Sequence, residues 1–140
     1  MKCVLLDLNV LLDVMLDRTD APVASALWAA LEKGAGRGYL PAHGVTTIYY
    51  LLSKARDPRF ARQGVEALMT IFSVAPVDEP VLRRAVSFDW PDFEDAVCAA
   101  AAEAAGCHAV VTRDPDGFQG SPVRVLDPGT ALAWLSADNT

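Results

Sequence analysis

Asp7, Asp95 and Asp114 are the residues of this chain best able to do chemistry together. Asp7 follows the apolar run Val4-Leu5-Leu6, and Asp114 follows Ala109-Val110-Val111-Thr112-Arg113. Both runs read as buried parallel strands. Parallel strands of one sheet end on the same edge, where α/β proteins place their sites. Asp95 opens a helix just before the second of these strands. Three carboxylates from distant parts of the chain then meet on one edge. Close like charges repel, and such a cluster normally holds a divalent cation.

Each acid also has an ordinary explanation. Asp7 is a good N-cap for a helix starting near Val10, with Asn9 as a further capping or outer donor. Asp92 reads as the N-cap of the Ala-rich helix, and Glu94 favours the positive end of its dipole. Asp95 falls at the third helical position. There it closes a capping interaction or points into the sheet edge. Asp114-Pro115-Asp116-Gly117 is a common turn sequence, which accounts for Asp116 better than for Asp114, still at the strand end.

The elements that would position these acids alternate along the chain. Strands are expected at Cys3–Leu6, Tyr39–Leu40, Val74–Val77, Ala109–Val111 and Val123–Leu126. Helices are expected over about Val10–Leu16, after Asp20 with Pro22 in the first turn, over Val45–Leu52, Arg59–Phe72 (Val65, Leu68, Met69 and Phe72 inward) and Glu79–Val86. The Ala-rich helix ends at Gly106, and Ala131–Leu135 closes the chain. Five strands alternating with helices mean an α/β domain, with a mostly parallel sheet covered by helices on both faces. The run Ala96 to Ala102 supplies small side chains that let its helix approach the sheet closely and carry Asp95 with it. No repeat or linker interrupts residues 1–140, which read as a single domain.

Composition sets the outer bounds. The chain has 140 residues, 52% hydrophobic and 21% charged, enough to bury a real core. A net charge of −6 argues against a large electrostatic footprint on nucleic acid, though not against a small site that reaches phosphate through a bound metal. Three cysteines without CxxC spacing fit a reducing cytoplasm better than a disulfide scaffold or structural zinc. Asp7, Asn9 and Asp13 interrupt the leucine-rich start, so it lacks the apolar core of a signal peptide, and no run reaches transmembrane length.

Other features carry less. Gly34-Ala35-Gly36-Arg37-Gly38 follows a helix and precedes a strand, the reverse of a phosphate-binding loop, and reads as a plain loop. His43 and His108 stand isolated and read as structural. Lys54, Arg56, Arg59 and Arg62 are the densest basic stretch. They form either a solvated helix junction or a phosphate-contacting rim.

The combination resembles the PIN-domain family of metal-dependent ribonucleases, whose toxin members are the VapC-type toxins of toxin–antitoxin pairs. The family opens with a strand and Asp-Thr-Asn, matched by Asp7-Leu8-Asn9 with Leu8 for the Thr. It carries an acid at the start of an Ala-rich helix, matched by Asp95. It closes with Thr-x-Asp-x-Asp-x-Phe, matched by Thr112, Asp114, Asp116 and Phe118. The resemblance implies a three-layer PIN-like fold and hydrolysis of RNA with Mg²⁺ or Mn²⁺, leaving 3′-hydroxyl and 5′-phosphate ends. Asp7, Asp95 and Asp114 would hold the ion, Asp116 would be a fourth or outer ligand, and Asn9 and Thr112 would orient carboxylates or water. The basic rim would contact the RNA. It implies a homodimer and a small antitoxin partner. The family often has a Glu three residues after a Thr on the second long helix, where this chain has Tyr50. Asp92 or Glu94 then completes the acidic set, or the fold has become a partner-binding module with weakened catalysis. Asp7-Leu8-Asn9-Val10 also resembles dehalogenase-type phosphatases, whose second Asp is absent here.

Overall fold

Strand and helix alternate throughout the computed structural model, which describes residues 1–137. The strands are β1 (Cys3–Leu6), β2 (Arg37–Pro41), β3 (Ser73–Ala75), β4 (Ala109–Val111) and β5 (Arg124–Leu126). The helices are α1 (Leu8–Met15), α2 (Ala21–Glu32), α3 (Ala42–Ala55), α4 (Pro58–Ile71), α5 (Glu79–Phe88), α6 (Phe93–Ala104) and α7 (Pro128–Ser136). The strands form one sheet in the order β3-β2-β1-β4-β5, and every pairing is parallel rather than most of them.

Alternation along the strands divides the core in two. Val4, Leu6, Ala109 and Val111 face one side, where they meet residues of α1, α2, α3, α4 and α7. Leu5 and Val110 face the other, against α5 and α6. Burial on both faces explains why the central strands read as continuous apolar runs. In α6, residues 96 to 102 are all buried. Their small side chains bring the helix axis close to the sheet. Gly106, with φ +75°, follows the C-cap Ala105 and ends the helix at a position that a side chain would strain.

Several local expectations shift. β2 starts at Arg37, inside the stretch read as a loop. Gly38 lies within this strand, where a Cβ would stand 2.6 Å from the Phe72 ring, so the close packing requires glycine. α1 begins directly after Asp7, at Leu8 rather than Val10, and α3 begins at Ala42 rather than Val45. β3 occupies Ser73–Ala75 instead of Val74–Val77. Met69, expected to face inward, is 50% exposed, while Ala61, Leu68 and Phe72 are buried. α4 packs against α3 through the face that carries Ala61 and Leu68, and Met69 lies off that face.

Topology locates the working edge. The chain moves from β1 to β2 and β3 on one side, then crosses to β4 and β5 on the other. The order therefore reverses between β1 and β4, leaving a crevice at their C-terminal ends. α1 departs from this edge, and α6, which leads into β4, must begin there.

Candidate active site

Asp7 and Asp114 leave β1 and β4, the two strands that flank the crevice. Asp7 is 8% exposed, and its N–H still bonds the Val111 carbonyl across the strands (2.9 Å). Thr112, 1% exposed, joins the two acids: its Oγ1 donates to Asp7 Oδ2 (3.2 Å) and accepts the Asp114 N–H (3.1 Å). The N–H groups of Leu8 and Asn9 lie toward the Asp7 carboxylate but close no capping hydrogen bond. Asp7 is thus held from the neighbouring strand rather than serving as a simple helix cap.

Asp95 enters from α6. The Asp92 carboxylate caps this helix, accepting the Asp95 N–H (3.2 Å). Asp95 stands at the third helical position, half-buried, with its carboxylate over the loop that follows β4. A Cβ on Gly117 would lie 3.0 Å from Asp95 Oδ2 and 3.8 Å from Asp114 Oδ2. Both carboxylates therefore border the space above that glycine.

The electrostatics agree with this crowding. Burial raises the Asp7 pKa above the usual carboxylate range, against the Thr112 hydroxyl, the Leu8 and Asn9 N–H groups and the Arg113 charge. Asp95 is pushed up to about 7, first by burial and then by Asp92, Asp7, Asp114 and Glu94. Four neighbouring acids oppose its ionisation, and a divalent cation would reverse that penalty. Among the described residues, no three His, Cys, Asp or Glu side chains close on one point as a ready cage. The donor chemistry nonetheless fits a hard ion: Asp7, Asp95 and Asp114 offer only carboxylate oxygens, and the fit lies in charge rather than in finished coordination geometry.

The remaining expected residues fall around this centre or away from it. Asp116 is exposed in the single 3-10 turn Pro115–Phe118, and Asn9 is exposed in the first turn of α1. Asp116 and Asp92 line a small cavity with Trp90, Pro91, Gly117 and Gln119. Lys54, Arg56, Arg59 and Arg62 sit at the tip of the α3–α4 hairpin, where Arg56 lies 4.3 Å over the Phe60 ring and Lys54 5.7 Å over Tyr50. Arg56 is thirteen residues past His43, about 20 Å along a helix, so the hairpin tip stands well away from the first turn of α3. Tyr50 is 59% exposed.

Three residues take up surroundings that their sequence context does not indicate. His43, in the first turn of α3, has both ring nitrogens buried without a partner. Burial lowers its pKa, and the Glu94 charge opposes the shift. Its sequence neighbours are apolar and give no sign of this. His108, by contrast, is structural as expected, its Nδ1 accepting the Cys3 N–H (3.0 Å). Asp13, read only as an interruption of an apolar run, is fully buried against Arg113. Asp20, just before α2, makes no side-chain cap and instead accepts from Arg113 Nη1 (3.1 Å).

Comparison with known proteins agrees with this architecture. The VapBC2 complex of Rickettsia felis, solved with a DNA fragment from its promoter, superposes with a TM-score of 0.71 at 12% identity, over 89% of this chain and 98% of that one. FitAcB of Neisseria gonorrhoeae gives 0.66 at 25% identity, over 89% and 97%. VapC20 of Mycobacterium tuberculosis, described as a toxin that cleaves the sarcin–ricin loop, gives 0.64 at 16% identity, over 76% and 86%. No curated protein matches the sequence. The PIN domain family matches residues 3–116, from the first residue of β1 to the turn after β4. That span includes all three converging carboxylates, and the chain belongs to the PIN-domain family.

Proposed function

We propose that this protein is a divalent-metal-dependent endoribonuclease and the toxin of a toxin–antitoxin pair. The observation that carries the proposal is the approach of the three acids at the crevice between β1 and β4: Thr112 links the Asp7 carboxylate to the Asp114 backbone, and Asp95 Oδ2 and Asp114 Oδ2 both border the space above Gly117, with burial and the neighbouring acids raising Asp95 to about 7. A nuclease acting through Mg²⁺ or Mn²⁺ needs such a set of hard oxygen donors.

Asp7, Asp95 and Asp114 would hold the ion, with Asp116 as an outer ligand. When bound, the ion supplies Lewis acidity, offsetting the phosphodiester's charge and acidifying the attacking water. Thr112 fixes the Asp7 carboxylate through its hydroxyl and the Asp114 backbone through its lone pair. Asn9 stands ready to orient water from the first turn of α1. Burial of Asp7 limits screening of its own carboxylate by bulk water.

The toxin role rests on the likeness to VapBC and FitAB complexes. With it we propose a small antitoxin partner, a homodimer, a cytoplasmic setting and one domain over residues 1–140. No described helix is long and apolar enough to cross a membrane. A labelled single-stranded RNA incubated with Mg²⁺ or Mn²⁺, and then with EDTA, tests the activity. Metal-dependent cutting is expected, and cutting that persists in EDTA defeats the mechanism. A binding module with weakened catalysis is the second reading, favoured by Tyr50 at the place of a family Glu and by the lack of a closed cage. It predicts no Mn²⁺ affinity and no cleavage, whereas the nuclease binds Mn²⁺.

A further inference from the structure

Beside the acids lies a cavity of about 240 Å³, lined by Trp90, Pro91, Asp92, Asp116, Gly117 and Gln119. We propose that it is a base-specificity subsite that takes an unstacked guanine of the RNA next to the scissile phosphate. This deepens the ribonuclease reading and rests on it.

Size comes first. The cavity is smaller than the 300–1,000 Å³ typical of sites for whole drug-sized ligands, and suits one heterocyclic base. Its wall is aromatic. Trp90 is half-buried and braced by Phe88 (ring centroids 5.1 Å apart, 32° between planes) and by the edge-on Phe118 (5.6 Å, 74°). An indole fixed by its neighbours loses little freedom when a base stacks on it. Single-stranded RNA is read in this way, by stacking on aromatic side chains and bonding to exposed base edges.

The polar groups select the base. Asp92 Oδ1 is committed to the Asp95 N–H, which leaves its second oxygen. Among the described residues, neither the Asp116 carboxylate nor the Gln119 amide makes a hydrogen bond. The cavity thus offers carboxylate acceptors and one amide. Guanine presents N1–H and N2–H₂ side by side, a pair that the free Asp92 oxygen and one Asp116 oxygen can accept between them, which leaves the other Asp116 oxygen toward the ion and guanine O6 for the Gln119 NH₂. Uracil presents two carbonyls around one N–H, and carboxylates repel them. Adenine and cytosine offer one amino group each. Position completes the case: Gly117 borders the cavity, and a Cβ there would lie 3.0 Å from Asp95 Oδ2. A base in the cavity puts its own phosphate beside the carboxylates assigned to the ion.

Sequencing the cleavage products of a random single-stranded RNA in Mn²⁺ tests the proposal. Wild type should cut at a fixed distance from guanine. Trp90→Ala should lower kcat/KM on a guanine-containing RNA about tenfold, as loss of one base–aromatic stack does, and should flatten the preference. Trp90→Phe should retain it. Gln119→Ala should keep cutting while narrowing the gap between guanine and adenine. Cutting by wild type without base preference, or an unchanged preference in a folded Trp90→Ala protein, overturns the subsite and leaves the nuclease intact. Absence of cleavage on every RNA defeats the nuclease reading instead. The Trp90 indole N–H resonance, assigned by its loss in Trp90→Phe, then decides the subsite alone: a shift with guanosine 5′-monophosphate and none with uridine 5′-monophosphate supports it, and no shift with either overturns it.

Discussion

Asp13 Oδ2 lies 3.2 Å from Arg113 Nε, and the Asp13 side chain is wholly shielded from solvent. Arg18 approaches the other oxygen at 3.8 Å, and Arg113 also reaches Asp20. Arg113 stands between Thr112, which holds Asp7, and Asp114. The pair therefore pins the loop of the second candidate ligand to the last turns of α1. Burial raises the Asp13 pKa, with Arg113 and Arg18 opposing. An acid buried in this way tolerates poorly the loss of its partner.

We predict that Arg113→Ala destabilises the fold by about 3 kcal/mol, the low end for breaking a buried pair, because Arg113 is partly exposed and Arg18 remains. Arg113→Lys should recover only part, since an ammonium lacks the fork that spans Asp13 and Asp20. Urea unfolding at neutral pH measures both. A loss below about 0.5 kcal/mol, the level of an ordinary surface substitution, would show that the pair contributes nothing.

The metal-free protein should gain stability through Asp95 as pH falls. Its folded pKa, about 7, lies above the ordinary 3.8, so the folded state binds the proton more tightly. The gain begins near pH 7 and is complete below about 4. His43 acts in the opposite sense below about 6.5, because burial lowers its pKa and charging it costs stability. Thermal melts of wild type and Asp95→Asn across pH 4–8 isolate the Asp95 contribution by difference. The variant should be flatter and, at pH 8 without metal, at least as stable as wild type, with RNA cleavage abolished. A variant that melts several degrees lower at pH 8 would make Asp95 a structural cap. Asp7→Asn and Asp114→Asn should likewise abolish cleavage.

Thr112→Val preserves shape but removes both hydrogen bonds that join Asp7 to Asp114. Stability should drop by about 1 kcal/mol. Mn²⁺ affinity should fall about 10–100-fold, as when a residue supporting metal ligands is lost. Thr112→Ser should restore most of it. Calorimetric titration with Mn²⁺ reads the affinity, and an unchanged value would detach Thr112 from the site.

Gly117→Ala tests the crowding above the loop. Its Cβ would stand 3.0 Å from Asp95 Oδ2, the far end of a side chain able to yield by a few tenths of an ångström. The fold should survive with little change in Tm, while Mn²⁺ affinity and RNA cleavage both decrease. Full activity in this variant would mean that Asp95 turns away from Gly117 in the working protein.

Much of this was legible in the chain itself. The apolar runs before Asp7 and Asp114 read as buried strands because β1 and β4 are covered on both faces and need no polar alternation. The Ala-rich run marked α6 as a helix held close to the sheet, and its Asp92 cap placed Asp95 at the third position. Such features depend on a few neighbouring residues, so local preference and burial determine them. Tertiary structure decided the rest. The reversal of strand order between β1 and β4 brings Thr112 to Asp7 across 105 residues. Packing of separate elements also joins Asp13 to Arg113 and shapes the cavity beside Trp90. No spacing within the chain encodes these contacts, because each arises only when separate elements pack on a common sheet.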